Sequence, residues 1–113
     1  MIPDRQILEE ARKRIHPFIH QTPVLTCESI DNMAGAKLYF KCENFQKMGA
    51  FKMRGAANVV LQLTAKEKSK GVTTHSSGNF AQAVALSGKL TGVKATIVMP
   101  SNAPIVKKKA VLG

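Results

Sequence analysis

Acidic residues, aromatic residues and long apolar runs are all scarce in this sequence of 113 residues. No apolar run approaches the length of a transmembrane helix, so we expect no membrane association. Seven acidic residues stand against 17 lysines and arginines, and the net charge of +10 raises nucleic-acid binding as an alternative. The lysines are scattered apart from residues 107–109, and the 5% of aromatic residues do not alternate with basic ones. We therefore do not expect nucleic acid as a partner.

Cysteine is scarce as well, with Cys27 and Cys42 only. Their spacing matches no metal or redox motif, which is typical of reduced thiols in a cytoplasmic protein. The N-terminal residues carry acids early and lack the apolar segment of a secretory signal. A hydrophobic content of 44% predicts a folded domain, or a piece of a larger one.

Helix and turn signals in the first half predict short elements. Asp4 is placed to cap a helix that ends before Pro17, and Gly35 closes a second helix in "ESIDNMAG". Between these helices, "TPVLTC" is extended in character. Alternation of Leu38, Phe40 and Cys42 with polar neighbours predicts a strand over residues 37–43 with one buried face.

Strands and helices alternate in the second half. An apolar stripe predicts a helix over residues 51–63, and Thr64 with Glu67 forms a capping box for the next helix. Two segments, "VTTHS" and "KATIVMP", are predicted as strands on either side of a helix over residues 80–90, and another helix begins in "APIVKKKAVLG". This alternation predicts an α/β fold with a parallel sheet and helices packed on its faces.

The segment "HSSGNFAQA", residues 75–83, is a candidate anion site. A strand, small hydroxyl residues, a glycine and a helix start would leave backbone N–H groups free at a positive helix end. Gly78 would let the backbone approach a ligand closely. The alternative is that Ser76, Ser77 or Asn79 only caps the helix.

Lys52 is a candidate nucleophile because Phe51 and Met53 flank it at the start of a predicted helix. Apolar surroundings and the helix N-terminus both disfavour an ammonium, which favours the free amine. The alternative is an ordinary surface lysine. Arg54 has a similar alternative, an ion pair or a cap on neighbouring carbonyls.

Three segments considered together carry a family resemblance: "CENFQKMGAFKMRGAANVV", "THSSGNFAQAVALSGKLTG" and "IVMPSNAPIVKKKAVLG". In this order they resemble the serine racemase and serine/threonine dehydratase family of fold type II pyridoxal-phosphate enzymes. Weaker likeness extends through "QTPVL" to the N-terminus. The resemblance implies an α/β fold like that of the tryptophan synthase β subunit, with helices on both faces of a parallel sheet and incomplete in this chain.

The resemblance also implies roles for single residues. Lys52 matches the lysine that forms the Schiff base with pyridoxal 5'-phosphate and takes the substrate's Cα proton. Phe51 would pack beside the cofactor ring, and Asn79 would hydrogen-bond the cofactor's 3-hydroxyl. The loop that holds the substrate carboxylate would consist of Ser76, Ser77, Gly78, Asn79 and Gln82.

Ser77 favours the racemase-like branch, where a serine faces the lysine across the cofactor and many dehydratases carry alanine. The implied reaction is racemisation of a small hydroxy amino acid such as serine or threonine, β-elimination to a keto acid and ammonia, or both. Hydroxyaspartate dehydratases and aspartate racemases share this loop and stay as alternatives. Met48, Ala50 and Phe80 depart from the residues common in the family. The segment 27–29 differs from the ATP-contacting pattern, so the sequence does not predict ATP activation.

The family organisation would place residues 1–64, with the cofactor lysine, in a large domain and residues 71–113 at the start of a small mobile domain. A divalent metal is possible in the family, but its ligands do not lie in this chain. The full-length protein is expected to be a homodimer with a small amino acid as substrate. Because the family's phosphate-binding loop lies further along, we expect these 113 residues alone to have little activity. A fragment acting as a structural or interaction module is the alternative.

Overall fold

The computed structural model describes residues 2–112. Within this range, three 3-10 helices at 16–18, 43–45 and 47–49 connect regular elements. The helices are α1 (Arg5–Ile15), α2 (Glu28–Ala34), α3 (Lys52–Gln62), α4 (Ala65–Lys70), α5 (Asn79–Thr91) and α6 (Ile105–Leu112). The strands are β1 (Val24–Leu25), β2 (Phe40–Lys41), β3 (Val72–His75) and β4 (Ala95–Val98).

The predicted helix ends are confirmed by their caps. The Asp4 carboxylate accepts a hydrogen bond from the Ile7 N–H at 2.9 Å, which satisfies one of the free donors of α1. Gly35 ends α2 with a φ of 65°, a conformation that glycine adopts without strain. Thr64 and Glu67 form both hydrogen bonds of the capping box at the start of α4.

The predicted strand over residues 37–43 is wrong in extent and in burial. Only Phe40 and Lys41 pair, antiparallel to β1, with Val24 opposite Lys41 and Leu25 opposite Phe40. Phe40 is 41% exposed, and all four residues of this short ladder are exposed. Alternation along the sequence fits a strand but does not supply a partner for its apolar face.

The predicted parallel pair is confirmed in β3 and β4, whose register runs from Val72 opposite Ala95 to His75 opposite Val98. Side chains alternate between the two faces, as a strand requires. The face under α5 is half-buried, and the opposite face is exposed. In residues 2–112 a helix therefore covers one face of this sheet. The half-buried face carries Val72, Thr74, Ala95 and Ile97.

Helices α3 and α5 pack through small residues that let their backbones approach closely. Ala56 of α3 forms a buried cluster with Ala83 and Val84 of α5. The fully buried Met53 side chain places its Sδ 3.7 Å from the Ser87 Oγ, so this residue joins the start of α3 to α5. A second buried cluster connects Met53 and Ala57 of α3 to Ile15 at the end of α1. The predicted apolar stripe of α3 is thus confirmed as the centre of the packing.

The structure also agrees with the expected state of the cysteines. Cys27 and Cys42 are both free thiols. Among residues 2–112, no helix combines the length and the apolar character needed to cross a bilayer.

Candidate active site

Lys52 is the first residue of α3, and its side chain is exposed. The Nζ atom lies 4.9 Å from the centroid of the Phe51 ring, a cation–π contact. The expectation that Lys52 is partly withdrawn from water is wrong for the described residues. Its two apolar neighbours point differently: Met53 is buried in the core, but Phe51 is 58% exposed and shields little of the amine.

The chain that leads into Lys52 is held by a buried glutamine. The Gln46 side chain accepts from the His20 N–H at 2.8 Å and donates to the His20 carbonyl at 2.9 Å. Its Oε1 also accepts from the Lys47 N–H at 3.0 Å. Met48 and Gly49 follow with φ values of 55° and 70°. A methionine in the left-handed region carries strain, so the surrounding hydrogen bonds must hold this turn in place.

Arg54 is fixed by a two-pronged ion pair with Glu43. Its Nε and Nη2 donate to the two Glu43 carboxylate oxygens at 2.8 and 2.7 Å, a bidentate geometry that strengthens the contact. The Thr22 hydroxyl donates to the same carboxylate, and Lys41 donates to the Thr22 carbonyl at 2.6 Å. The hydrogen bonds from Arg54, and then that from Thr22, lower the pKa of Glu43 to about 2 although burial opposes the shift. The predicted ion-pair alternative for Arg54 is confirmed.

Beyond Arg54 itself, this network could not be predicted from the sequence. Thr22, Glu43 and Arg54 are separated by 21 and 11 positions, so no helical or strand spacing relates them. The network connects Arg54, two residues after Lys52, to the irregular segment that precedes α3. We infer that its role is to hold the start of α3, and hence Lys52, in position.

The predicted loop between β3 and α5 is fixed at one end by Ser76. Its backbone N–H donates to the Val98 carbonyl at 3.1 Å, which continues the parallel ladder. The Ser76 Oγ accepts from the N–H groups of Gly78 and Ala81 at 3.3 and 3.2 Å. The capping alternative is therefore confirmed for Ser76, since its oxygen takes two donors of the helix N-terminus.

The rest of the loop stays open to a ligand. The backbone N–H groups of Ser77, Asn79 and Phe80 have no acceptor within residues 2–112. The exposed Ser77 hydroxyl likewise has no partner in that range. A Cβ added to Gly78 would meet no heavy atom within 4 Å, so no described neighbour requires glycine here. An anion would satisfy these donors at the positive end of α5.

Asn79 is the first residue of α5 and contacts a helix from outside the loop. Its Oδ1 accepts a hydrogen bond from the Lys107 Nζ at 2.8 Å. Gln82 lies one turn further along α5 and is half-buried. The sequence pointed to Asn79 and Gln82 but not to Lys107, which was one lysine of a basic run.

The two predicted halves of the site are connected through the core. Lys52 makes no hydrogen bond or ion pair with the loop in residues 2–112. Its neighbour Met53 instead packs beside Ser87, and α3 and α5 share the cluster around Ala56. The arrangement offers an exposed primary amine on one helix start and unsatisfied N–H donors with a free hydroxyl on another.

Comparison with known proteins finds relatives along most of this chain. A curated serine racemase of Dictyostelium discoideum is 54% identical over 106 residues, which are 94% of this chain and 33% of that protein. The L-threo-3-hydroxyaspartate ammonia-lyase of Saccharomyces cerevisiae is 50% identical over 113 residues, covering 100% of this chain and 35% of that protein. The chain thus spans about a third of the length of the curated relatives that it matches.

Solved structures and family models give the same result. The structure of maize serine racemase superposes with a TM-score of 0.93 at 54% identity, covering 99% of this chain and 34% of that one. This likeness confirms the predicted α/β fold of type II. The family model described as "Pyridoxal-phosphate dependent enzyme" matches residues 15–112. The chain therefore belongs to the pyridoxal-phosphate dependent enzyme family.

Proposed function

We propose that the protein racemises a small hydroxy amino acid such as serine and also eliminates water from it, with pyridoxal 5'-phosphate as cofactor. The supporting observation is that two adjacent serines make different contacts. The Ser76 oxygen caps α5, whereas the exposed Ser77 hydroxyl has no partner in residues 2–112. A relative described as a serine racemase, 54% identical over 94% of the chain, supports the same reaction class.

The described residues fit the lysine side of a cofactor site. Lys52 presents an exposed amine, which is what attachment to an aldehyde requires, and its Nζ lies beside the Phe51 ring. Asn79 offers an amide, and the space beside Gly78 is open. The cofactor phosphate would be held by the phosphate-binding loop of the family, which the described residues 2–112 do not supply. When bound, the cofactor supplies an electron sink for the carbanion formed at the substrate Cα.

The chain's own residues would then bind substrate and move protons. The N–H groups of Ser77, Asn79 and Phe80 would hold the substrate carboxylate at the N-terminus of α5. The Lys52 amine would remove the Cα proton from one face. Return of a proton from the Ser77 hydroxyl to the other face would invert the centre. In elimination the substrate hydroxyl leaves with a proton as water, and hydrolysis of the remaining enamine releases a keto acid and ammonia.

Borohydride reduction of the full-length protein tests the role of Lys52. Reduction should fix the cofactor to the peptide that contains Lys52, detectable by mass spectrometry. Lys52→Ala should remove this label and the activity, whereas Lys109→Ala, at another exposed lysine, should keep both. A colourless wild-type protein without label on Lys52 would exclude the proposed function.

The two serines offer a matched pair of variants for the second step. Ser77→Ala should reduce racemisation by about 100-fold or more and elimination much less, since only racemisation needs a proton donor on the second face. Ser76→Ala should lower both activities together, because it removes a cap and no reacting group. Equal loss of both activities in Ser77→Ala would contradict the two-base mechanism.

Elimination from 3-hydroxyaspartate is a second candidate function. The yeast relative described as an L-threo-3-hydroxyaspartate ammonia-lyase is 50% identical across the full chain. The Lys107 ammonium beside Asn79 also places a cation near the loop, which would suit a substrate with a second carboxylate. A higher kcat/KM for 3-hydroxyaspartate than for serine would favour this candidate.

The remaining parts of the proposal concern the whole protein. Residues 1–64 would belong to a large domain and residues 71–113 would begin a small mobile one. We expect a cytoplasmic homodimer, and sedimentation of the full-length protein would test the oligomeric state.

Salt-sensitive binding to duplex DNA would instead support the alternative of a basic nucleic-acid-binding protein, because phosphate contacts release counterions.

A further inference from the structure

We propose that Lys107 is a positioning residue that fixes the orientation of the Asn79 amide, so that its NH₂ group faces the bound cofactor. This inference rests on the proposed function, since it assumes that Asn79 contacts the cofactor. The supporting contact is the hydrogen bond of 2.8 Å between the Lys107 Nζ and Asn79.

The chemistry of lysine decides which way the amide points. An ammonium group only donates hydrogen bonds, so the amide atom facing it must be the oxygen. The Nδ2 group of Asn79 is then turned away from Lys107, and it has no acceptor in residues 2–112. Asn79 is therefore prepared to donate to an oxygen of a ligand. A hydroxyl or phenolate oxygen on the cofactor ring is the matching acceptor.

The charge of Lys107 adds to the effect of its geometry. A cation on the carbonyl side of an amide polarises the group and makes its N–H a better donor, as in other chained hydrogen bonds. Without Lys107, the amide of an exposed asparagine would rotate and would present oxygen and nitrogen in turn. A rotated amide would set its oxygen against the ligand oxygen, which is repulsive when that oxygen is a phenolate, because both atoms then only accept hydrogen bonds.

Helix packing delivers Lys107 to this place. The N–H groups of Lys107 and Lys108 donate to the Pro104 carbonyl at 3.0 and 3.1 Å, which forms the first turn of α6. The Lys108 Nζ donates to the Ser101 carbonyl at 2.6 Å and ties α6 to the turn after β4. At its other end, α6 lines a cavity of about 360 Å³ together with α5; that end contributes Ala110, Val111 and Leu112, and α5 contributes Ala85, Leu86 and Lys89.

Both ends of α6 thus lie beside α5, and Lys107 reaches the first residue of α5. The neighbouring lysines form no hydrogen bond with Asn79 within residues 2–112. Lys108 binds the turn after β4, and Lys109 is exposed. Of the three lysines in this run, the positioning role therefore belongs to Lys107. Lys109 provides a control on the same helix.

The experiment measures cofactor binding directly in the full-length protein. Lys107→Met should weaken pyridoxal 5'-phosphate affinity about tenfold, because a charge-assisted contact is lost, and should shift the absorbance maximum of the bound cofactor. Lys109→Met should match the wild type in affinity and spectrum. Lys107→Arg keeps the donor and the charge and should recover most of the affinity and the wild-type spectrum.

A double-mutant cycle tests whether Lys107 acts through Asn79. Asn79→Ala combined with Lys107→Met should bind cofactor no more weakly than Asn79→Ala alone. Additive losses, an unchanged spectrum in Lys107→Met, or an equal loss in Lys109→Met would each overturn the inference. Failure of the proposed function is separate, since the wild type itself would then carry no reducible cofactor on Lys52.

Discussion

The two regions that supply the candidate site are built in different ways. The segment that leads into Lys52, residues 42–51 between β2 and α3, contains two short 3-10 helices and no longer element, and it is held by side-chain hydrogen bonds. The region around Ser77, residues 72–91, follows a strand, a short loop and a helix, and its backbone hydrogen bonds are those of a parallel ladder and a helix. The Ser76 hydroxyl fixes the loop itself, and the side chains of Asn79, Ser87 and Thr91 add further hydrogen bonds along α5.

This difference shows where each region is sensitive to substitution. An irregular segment depends on particular side chains, because no regular ladder satisfies its backbone groups. A strand–loop–helix unit depends on its packed face and tolerates changes at single polar positions. The contact between Met53 and Ser87 connects the regions, so it provides the most severe test of their mutual dependence.

Met53→Ala should have the largest effect on stability, since this side chain is fully buried between α1, α3 and α5. Truncation would leave a cavity and lower the free energy of unfolding by about 3 kcal/mol. Chemical denaturation of the full-length protein measures the change. Met33→Ala is the control, because Met33 is 88% exposed and should cost little. Similar losses in both variants would show that Met53 does not connect the regions.

Glu43→Gln should come next, at about 2 kcal/mol, because it removes a charge-assisted bidentate contact and leaves Arg54 partly buried without its anion. It should also reduce borohydride labelling of Lys52 if the network positions α3. Glu9→Gln is the matched control, since the exposed pair of Glu9 with Arg5 should contribute less than about 0.5 kcal/mol. A loss no greater than that of the control would refute the positioning role.

Acid should weaken the same network in a defined pH range. The pKa of Glu43 is lowered from 4.5 to about 2, chiefly by Arg54. A carboxyl with a depressed folded-state pKa adds stability above its unfolded value, and this contribution falls as the pH drops from about 4.5 towards 2. The stability difference between wild type and Glu43→Gln should therefore shrink across that interval. A constant difference would show that the charge of Glu43 is not responsible.

Ser76→Ala should have the smallest of these effects, about 1 kcal/mol, through loss of the cap on α5. Ser77→Ala should leave thermal stability unchanged, because its hydroxyl has no partner in residues 2–112. The comparison needs only melting curves. A larger loss in Ser77→Ala than in Ser76→Ala would reverse the roles assigned to the two serines.

Local signals explain which parts of the fold were predictable. The caps at Asp4, Gly35 and Thr64 act within three or four residues, so the sequence displays them directly. The parallel pair followed from alternating strands and helices. The strand over residues 37–43 was overpredicted because its alternation says nothing about the partner that would bury Phe40.

The candidate site, like the fold, was predictable only in part. The residues Lys52, Ser77 and Asn79 were indicated by the sequence through motif order and resemblance, and their roles stay predictions. The exposure of Lys52 was predicted wrongly, because apolar neighbours in sequence need not face the same side as the residue between them.

The sequence by itself determined the helices with their caps, the parallel pair and the family, because these depend on nearby residues and on motifs that stand in a fixed order. Tertiary structure alone decided that Glu43 holds Arg54, that Ser76 caps while Ser77 stays free, and that Lys107 reaches Asn79. Each of these contacts depends on where a side chain points in the folded protein. The contact of Lys107 with Asn79, 28 positions apart, depends on how α5 and α6 lie beside each other.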